Sequence, residues 1–206
     1  MDHKETVKAG YNQIADLYLA GRTRDSEDVR LLEELVARLP NGAKILDAGC
    51  GAGIPIAQKL SEKFKVTGVD FSEAQIALAK KNIPSAIFVC EDMTKLDFPE
   101  NTFDGIASYY AIIHVPREEH QSLLTNFHRM LKPGGYALLC LGAQLSIDDP
   151  NDEFFGTPMY WSHFGSETYL KMLKECGFNL IWSKLVGDST CEGAAHLFVL
   201  AQKGTA

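Results

Sequence analysis

The spacing of apolar positions changes character along the chain. Tyr11, Ile14, Ala15 and Tyr18 stand at i, i+3, i+4 and i+7, which puts them on one face of a helix. The stretch SEDVRLLEELVARL continues the helical spacing, with Asp25 or Ser26 as its cap and PNG, Pro40 to Gly42, as its stop. From Lys44 onward, short apolar runs alternate with helical stretches. KILDA, KVTGVD, AIFVCED, FDGIASYYA and YALLCLG read as strands, and IPIAQKLSEKF, SEAQIALAKKN and REEHQSLLTNFHRML as the helices that connect them. The second of these helices opens with the capping-box pattern Ser72-x-x-Gln75, and KPGG stops the third. An irregular acidic and aromatic segment follows. SETYLKMLKECG is then a helix with Gly177 at its C-cap, and FNLIWSKLVG and AAHLFVLAQK are two strands with no helix between them.

Strands alternating with helices require crossover connections, hence a parallel sheet covered on both faces. Two strands in direct succession require an antiparallel pair. The expected fold is α/β: a Rossmann-like, doubly wound, mostly parallel seven-stranded sheet with an antiparallel C-terminal edge hairpin and N-terminal helices. With no repeat or low-complexity linker, residues 1–206 read as a single domain.

Composition narrows the partners. Of 206 residues, 46% are hydrophobic and 23% charged, an ordinary globular balance. The 27 acidic and 20 basic residues give a formal charge of −7, and Lys and Arg form no cluster. A nucleic-acid partner is therefore disfavoured. The leading MDHKETVKAGYNQ is polar, unlike a signal peptide, and no apolar run approaches the roughly 20 residues of a membrane helix. Five cysteines without CxxC spacing fit a reduced, cytoplasmic chain. IDDPNDEFFG gathers Asp148, Asp149, Asp152 and Glu153, but lacks EF-hand spacing and is interrupted by Pro150. It reads as a solvated acidic loop, and no metal is expected.

The chemistry concentrates at ILDAGCGAGIP. Gly49, Gly51 and Gly53 lie between the first strand and its helix, where bare backbone permits positive φ and close approach of a ligand. The spacing is GxGxG; the dinucleotide fingerprint GxGxxG would need glycine at Ile54, and no P-loop lysine follows. Asp47, just ahead of the loop, would repel a pyrophosphate and suits a cation such as an α-ammonium group or a nearby sulfonium. Asp70 ends the second strand, where a carboxylate accepts from ribose hydroxyls. Asp92 ends the third, placed to accept from an adenine amino group while Met93 packs on the ring. Adenine, ribose and a positively charged amino-acid tail without phosphate describe S-adenosylmethionine better than NAD.

ILDAGCGAG, VTGVDFSEAQIALAK, CEDMTKLDFPENTFDGIASYYAIIHV and FHRMLKPGGYALL together resemble the consecutive motifs of class I S-adenosylmethionine-dependent methyltransferases. The small-molecule branch that includes quinone-biosynthesis-type enzymes is the nearest in kind. The resemblance is tight over residues 44–142 and looser in the leading helix and terminal hairpin. It implies that Asp47, Gly49 and Gly51 surround the methionyl moiety, with Ser108 near its tail. Asp70 would take the ribose, Phe71 would lie beside the adenine, and Asp92 and Met93 would hold it. Residues 1–40 would form a helical lid, with Tyr11 and Tyr18 facing the cofactor; an aromatic stripe packing a helix onto the core explains both tyrosines equally well. Residues 143–165 would be an acceptor-side insertion.

Methyl acceptors sometimes need a base. His114 lies in the family's acceptor-side loop and His163 in the insertion, so these two are the candidate catalytic residues. His120 and His128 are expected on a helix surface, and His196 as an ordinary buried histidine. GTPMYWSHFG carries Met159, Tyr160, Trp161 and Phe164; with Phe154 and Phe155 it is expected to wall the acceptor site, Tyr160 and Trp161 meeting the substrate. The expected activity is in-line methyl transfer to a small-molecule acceptor. The competing readings are a non-catalytic S-adenosylmethionine-binding protein and, disfavoured by the glycine spacing and Asp47, an NAD-dependent oxidoreductase.

Overall fold

A computed structural model describes residues 3–188 and 193–205, apart from the side chains of 148–153. The acidic side chains of that run, and Cys191, therefore lie outside the described residues. Helix α1 (His3–Gly21) is followed by two short helices, α2 (Glu27–Arg30) and α3 (Leu32–Val36), where the sequence predicts one. Ser26 occupies the N-cap position of α2, but its side chain makes no cap bond.

The alternating region then gives β1 (Lys44–Ala48), α4 (Ile56–Ser61), β2 (Lys65–Asp70), α5 (Glu73–Asn82), β3 (Ile87–Cys90), β4 (Phe103–Ser108), α6 (His120–Met130) and β5 (Leu131–Gly142). Next come β6 (Ser146–Phe154), β7 (Thr157–His163), α7 (Ser166–Glu175), β8 (Phe178–Gly187) and β9 (Ala195–Lys203). Seven strands form one sheet in the order β3-β2-β1-β4-β5-β9-β8. The first five run parallel, and β9 is antiparallel to both β5 and β8.

The period-two pattern distributes neighbouring residues to opposite faces. Ile45, Leu138, Cys140, Phe198 and Leu200 pack under α2 to α5, whereas Leu46, Leu139, Leu141, Leu197 and Val199 pack under α6 and α7. All ten are fully buried or nearly so. Full coverage of both faces explains why these strands read as continuous apolar runs.

Three local details depart from expectation. The 143–165 segment is not irregular: β6 and β7 pair as a separate antiparallel hairpin. Strand β5 begins before Tyr136, because Phe103 pairs with Leu131 and the register then jumps so that Gly105 pairs with Tyr136. Lys132–Gly135 form the irregularity, with Pro133 lacking an N–H and Gly134 at φ +79°. The capping box at Ser72 is half made: its side chain accepts from Gln75 N–H, but Gln75 does not return the bond. The Ser72 N–H donates to Asp70 instead.

The order reverses between β1 and β4, and a crevice opens there at the carboxyl ends of the strands. Helix α1 packs across that end. Its Val7 and Ile14 join Met159 of β7 in a third, small core that also carries Tyr11, Tyr18, Phe71, Phe154, Phe155, Tyr160 and Trp161.

Candidate functional site

Two connected cavities occupy the crevice. The larger, of about 640 Å3, runs between α1 and the ends of β1 to β4, and the smaller, of about 440 Å3, continues under the glycine loop. They share Tyr18, Gly49, Gly51, Tyr109 and Tyr110. Their position at the strand ends, with polar side chains converging on them, suits a small-molecule ligand or cofactor.

The glycine loop shapes the floor. Gly49 has φ +79°, and a Cβ there would collide with the Ala111 methyl. Gly51 has φ +51° and open space beside it, its nearest neighbour being Gln75 Oε1 at 3.7 Å. Asp70 stabilises the loop by accepting the Gly51 N–H at 2.9 Å with one oxygen and the Ser72 N–H at 3.0 Å with the other. Burial raises the Asp70 carboxyl to about 6, against the opposing pull of these N–H groups.

Asp47 lines the smaller cavity and is 1% exposed. Its Oδ2 has no hydrogen-bond partner. Burial, and secondarily the charge of Asp70, raises it to about 8. Arg22, at the end of α1, lines the same cavity. Its guanidinium lies 4.8 Å over the Tyr110 ring and 3.6 Å from the buried Asp28 carboxylate, too far for a hydrogen bond. Gln75 is 1% exposed with both amide atoms unpartnered, and the buried Tyr110 hydroxyl is unpartnered too. Native structures rarely leave buried polar groups orphaned, and three such residues around one cleft, Asp47, Gln75 and Tyr110, with the Arg22 guanidinium beside them, mark a place built for a polar ligand.

At the other end, Lys4 reaches Asp92 Oδ2 at 3.0 Å, Thr94 Oγ1 at 2.8 Å and Glu119 Oε2 at 2.6 Å. Asp92 Oδ1 also accepts from the Thr94 N–H and hydroxyl. Phe71, Asp92 and Met93 line this end of the larger cavity, and Tyr11, Tyr18 and His114 line the side beneath α1.

His114 is buried, and its Nδ1–H donates to the Tyr160 carbonyl at 2.7 Å, so Nε2 carries a lone pair. The Tyr11 hydroxyl lies 3.0 Å from Nε2 and donates to it. Burial lowers His114 to about 4 and pushes the Tyr11 hydroxyl well above its ordinary value. Trp161 packs behind the imidazole at 5.2 Å and against Phe154 at 5.3 Å.

Other expected residues stand elsewhere. Ser108 is fully buried and its hydroxyl donates to the Ala48 carbonyl at 2.7 Å, joining β4 to β1 away from either cavity. His163 packs against Gly142, and its Nδ1 bonds the Gln144 carbonyl at 2.8 Å. It does not line the cleft. The Tyr160 ring stacks on His3 at 3.7 Å, contributing its carbonyl rather than its ring to the site. His120, expected on the surface, is fully buried: Nε2–H donates to the Val115 carbonyl at 2.9 Å and Nδ1 accepts from Tyr169 at 2.7 Å. A tyrosine from α7 supplies the partner that makes this burial affordable. His196 is buried as expected, with Nε2 3.1 Å from Asp188. Among the described residues, no group of three His, Cys, Asp or Glu is placed to hold a metal, and no helix is long and apolar enough to cross a membrane.

Arg22, Gln75 and Tyr110 escape the sequence reading. The helical register does contain Arg22, four residues after Tyr18 and hence on the same face, but only the folded chain shows that this face covers the glycine loop.

The fold and cleft define a Rossmann-like protein with its ligand site at the topological switch point. Residues 45–135 match the family described as a methyltransferase domain. Over most of its length the chain is similar to S-adenosylmethionine-dependent methyltransferases. It is 27% identical to a sterol 24-C-methyltransferase of Saccharomyces cerevisiae over 93% of this chain and 57% of that one. It is 31% identical to an S-adenosyl-L-methionine-dependent Diels-Alderase of Neonectria sp., over 77% of this chain and 66% of that one. The chain thus spans less than two thirds of the length of either relative. The crystal structure of a TehB-like S-adenosylmethionine-dependent methyltransferase from Corynebacterium glutamicum matches with a TM-score of 0.69 at 25% identity, over 95% of this chain and 97% of that one.

Proposed function

We propose that the protein transfers a methyl group from S-adenosylmethionine to a small-molecule acceptor. One observation carries the reading: the smaller cavity pairs Asp47, a buried carboxylate with an orphaned oxygen, with Arg22, a guanidinium making no hydrogen bond across its nearest ion pair. An ionisable carboxyl group and a guanidinium facing one buried space fit the ammonium and carboxylate of an amino-acid tail. A dinucleotide would instead set its pyrophosphate beside Asp47.

In this reading Asp47, Gly49, Gly51 and Arg22 hold the tail, Asp70 and Gln75 the ribose, and Phe71, Asp92 and Met93 the adenine. Lys4 occupies Asp92 Oδ2, so Asp92 serves the base end as part of an ion-paired rim. Tyr11 and Tyr18 belong to a lid formed by residues 1–40, and the 143–165 hairpin backs the acceptor side, with Trp161 behind His114 and Phe154 against Trp161. When bound, the cofactor supplies an electrophilic methyl group on a sulfonium. The chain contributes position, exclusion of water and, through His114, a base held neutral by burial. The acceptor meets aromatic side chains, which suits an apolar or planar small molecule and no nucleic acid. This reading gives Ser108 and His163 no role: the Ser108 hydroxyl bonds the Ala48 carbonyl, His163 Nδ1 bonds the Gln144 carbonyl, and neither residue lines the two cavities.

The test is calorimetric titration with S-adenosylhomocysteine, with NAD as the parallel ligand. Binding of the first alone is expected; binding of NAD, or of neither, would refute the reading. A second reading, cofactor binding without methyl transfer, is favoured by the similarity to a Diels-Alderase. It predicts cofactor binding without any S-adenosylhomocysteine appearing on incubation with acceptors.

A further inference from the structure

The loop after β4, helix α1 and the hairpin meet at one imidazole. The Tyr160 carbonyl of β7 fixes the proton of His114 on Nδ1, and the Tyr11 hydroxyl of α1 donates to Nε2 at 3.0 Å. Both side chains line the larger cavity, but the Nε2 lone pair is already engaged by Tyr11. A proton leaving an acceptor in the cavity therefore meets His114 through the Tyr11 oxygen.

We infer that Tyr11 is a catalytic residue, relaying a proton from a hydroxyl-bearing acceptor to His114 Nε2 as the acceptor oxygen is methylated. The inference rests on the methyl-transfer reading above. In the step, an oxygen lone pair of the acceptor forms the new C–O bond, and the C–S bond breaks with its electron pair left on sulfur. The acceptor proton passes to the Tyr11 oxygen while Tyr11 gives its own proton to Nε2. The positive charge that disappears from sulfur reappears on His114, so the cleft holds the same charge before and after. No separate counter-ion is required in a space where an extra buried charge is costly.

The relay is also conditional. It is assembled from three segments far apart in sequence, residues 11, 114 and 160, and exists only when α1 lies across the cleft and the hairpin is docked. Burial keeps the imidazole neutral and able to accept.

The test compares two acceptors of the same shape, a naphthol and an already ionised naphthalenethiolate, in wild type and Tyr11→Phe. The relay predicts that the ratio of naphthol to thiolate methylation falls on the order of a hundredfold in the variant. A merely structural tyrosine would lower both rates together, and a fall in the ratio of less than about tenfold overturns the relay. Wild-type protein that binds S-adenosylhomocysteine but leaves the naphthol unmethylated overturns the relay and spares the cofactor site. Failure to bind S-adenosylhomocysteine overturns the methyl-transfer reading, and the relay with it. Independently of turnover, nitrogen NMR of the histidine-labelled, cofactor-free protein should show His114 protonated at Nδ1, with the Nε2 signal moving in Tyr11→Phe. An Nε2–H tautomer overturns the relay.

Discussion

Asp70 accepts the backbone N–H of Gly51 at 2.9 Å, so the last residue of β2 holds the loop that follows β1. The same carboxylate accepts the Ser72 N–H at the start of α5. One side chain thereby sets the floor of the cleft and the direction of the next helix. Asp70→Ala removes both bonds and the proposed ribose acceptor together. S-adenosylhomocysteine binding should weaken by about 1.5–3 kcal/mol in calorimetry, the worth of a hydrogen bond to a charged group. A change of less than about threefold would place the ribose elsewhere.

Asp47 gives the site a pH dependence. Burial first, then Asp70, raises it from 3.8 to about 8 in the free protein, so the neutral acid predominates at neutral pH. Capturing an ammonium requires the carboxylate, and binding must then expel a proton. Affinity for S-adenosylhomocysteine should fall as pH drops through about 8, by up to about tenfold per pH unit. Folding stability slopes the other way. The folded state retains a proton that the unfolded chain releases, so this contribution is complete at acid pH and is lost as pH rises from the ordinary carboxylate range through about 8. Asp47→Asn should flatten the melting-temperature profile between the ordinary carboxylate range and about pH 8, and weaken the ligand at every pH. PH-independent binding by wild type would show that Asp47 meets no cation.

Gly51 and Gly49 separate ligand space from packing. Gly51→Val projects a side chain into open space and should abolish binding while leaving a cooperative melt. Its stability cost should be about 1–2 kcal/mol, from a β-branched residue at φ +51°. Gly49→Ala sets its methyl against Ala111 and should destabilise the fold itself. Wild-type affinity in a folded Gly51→Val protein would move the ligand off the loop.

The Asp47–Arg22 pair can be tested from the ligand side, which avoids stranding Asp28 as an unpaired buried charge. Methylthioadenosine keeps adenine, ribose and thioether but lacks the amino-acid tail. It should bind on the order of a hundredfold more weakly than S-adenosylhomocysteine, the loss expected from one or two charge-assisted hydrogen bonds. Equal affinities would mean that the smaller cavity holds no tail.

Lys4 fastens the start of α1 to Asp92, Thr94 and Glu119. Lys4→Met should raise amide hydrogen exchange over the first two turns of α1 and leave exchange in β1 and β4 unchanged, since those strands are buried independently of α1. Unchanged exchange in α1 would show that its hydrophobic contacts with Met159, not the ion pairs, hold it down.

The sequence by itself determined the frame. Alternation such as Ile45 against Leu46, or Phe198 against Val199, sends adjacent residues to opposite helical layers, and glycines with strand-end acids fall at the carboxyl edge of any such sheet. These features are local, governed by backbone period and by the conformations glycine allows, so Asp47, Gly49, Gly51, Asp70, Phe71, Asp92 and Met93 could be placed around one cleft before any contact was known. The tertiary structure decided everything that depends on where a side chain points after distant segments meet. Arg22 and Gln75 became cleft residues, and Ser108 and His163 did not. His120 went inside because Tyr169 arrives from α7, and Tyr11 turned its hydroxyl to His114 only because β7 had fixed the opposite nitrogen. Hydrogen-bond partners dozens of residues apart leave no periodic trace in the chain, and such pairings appear only when packing brings the donor and the acceptor within about 3 Å.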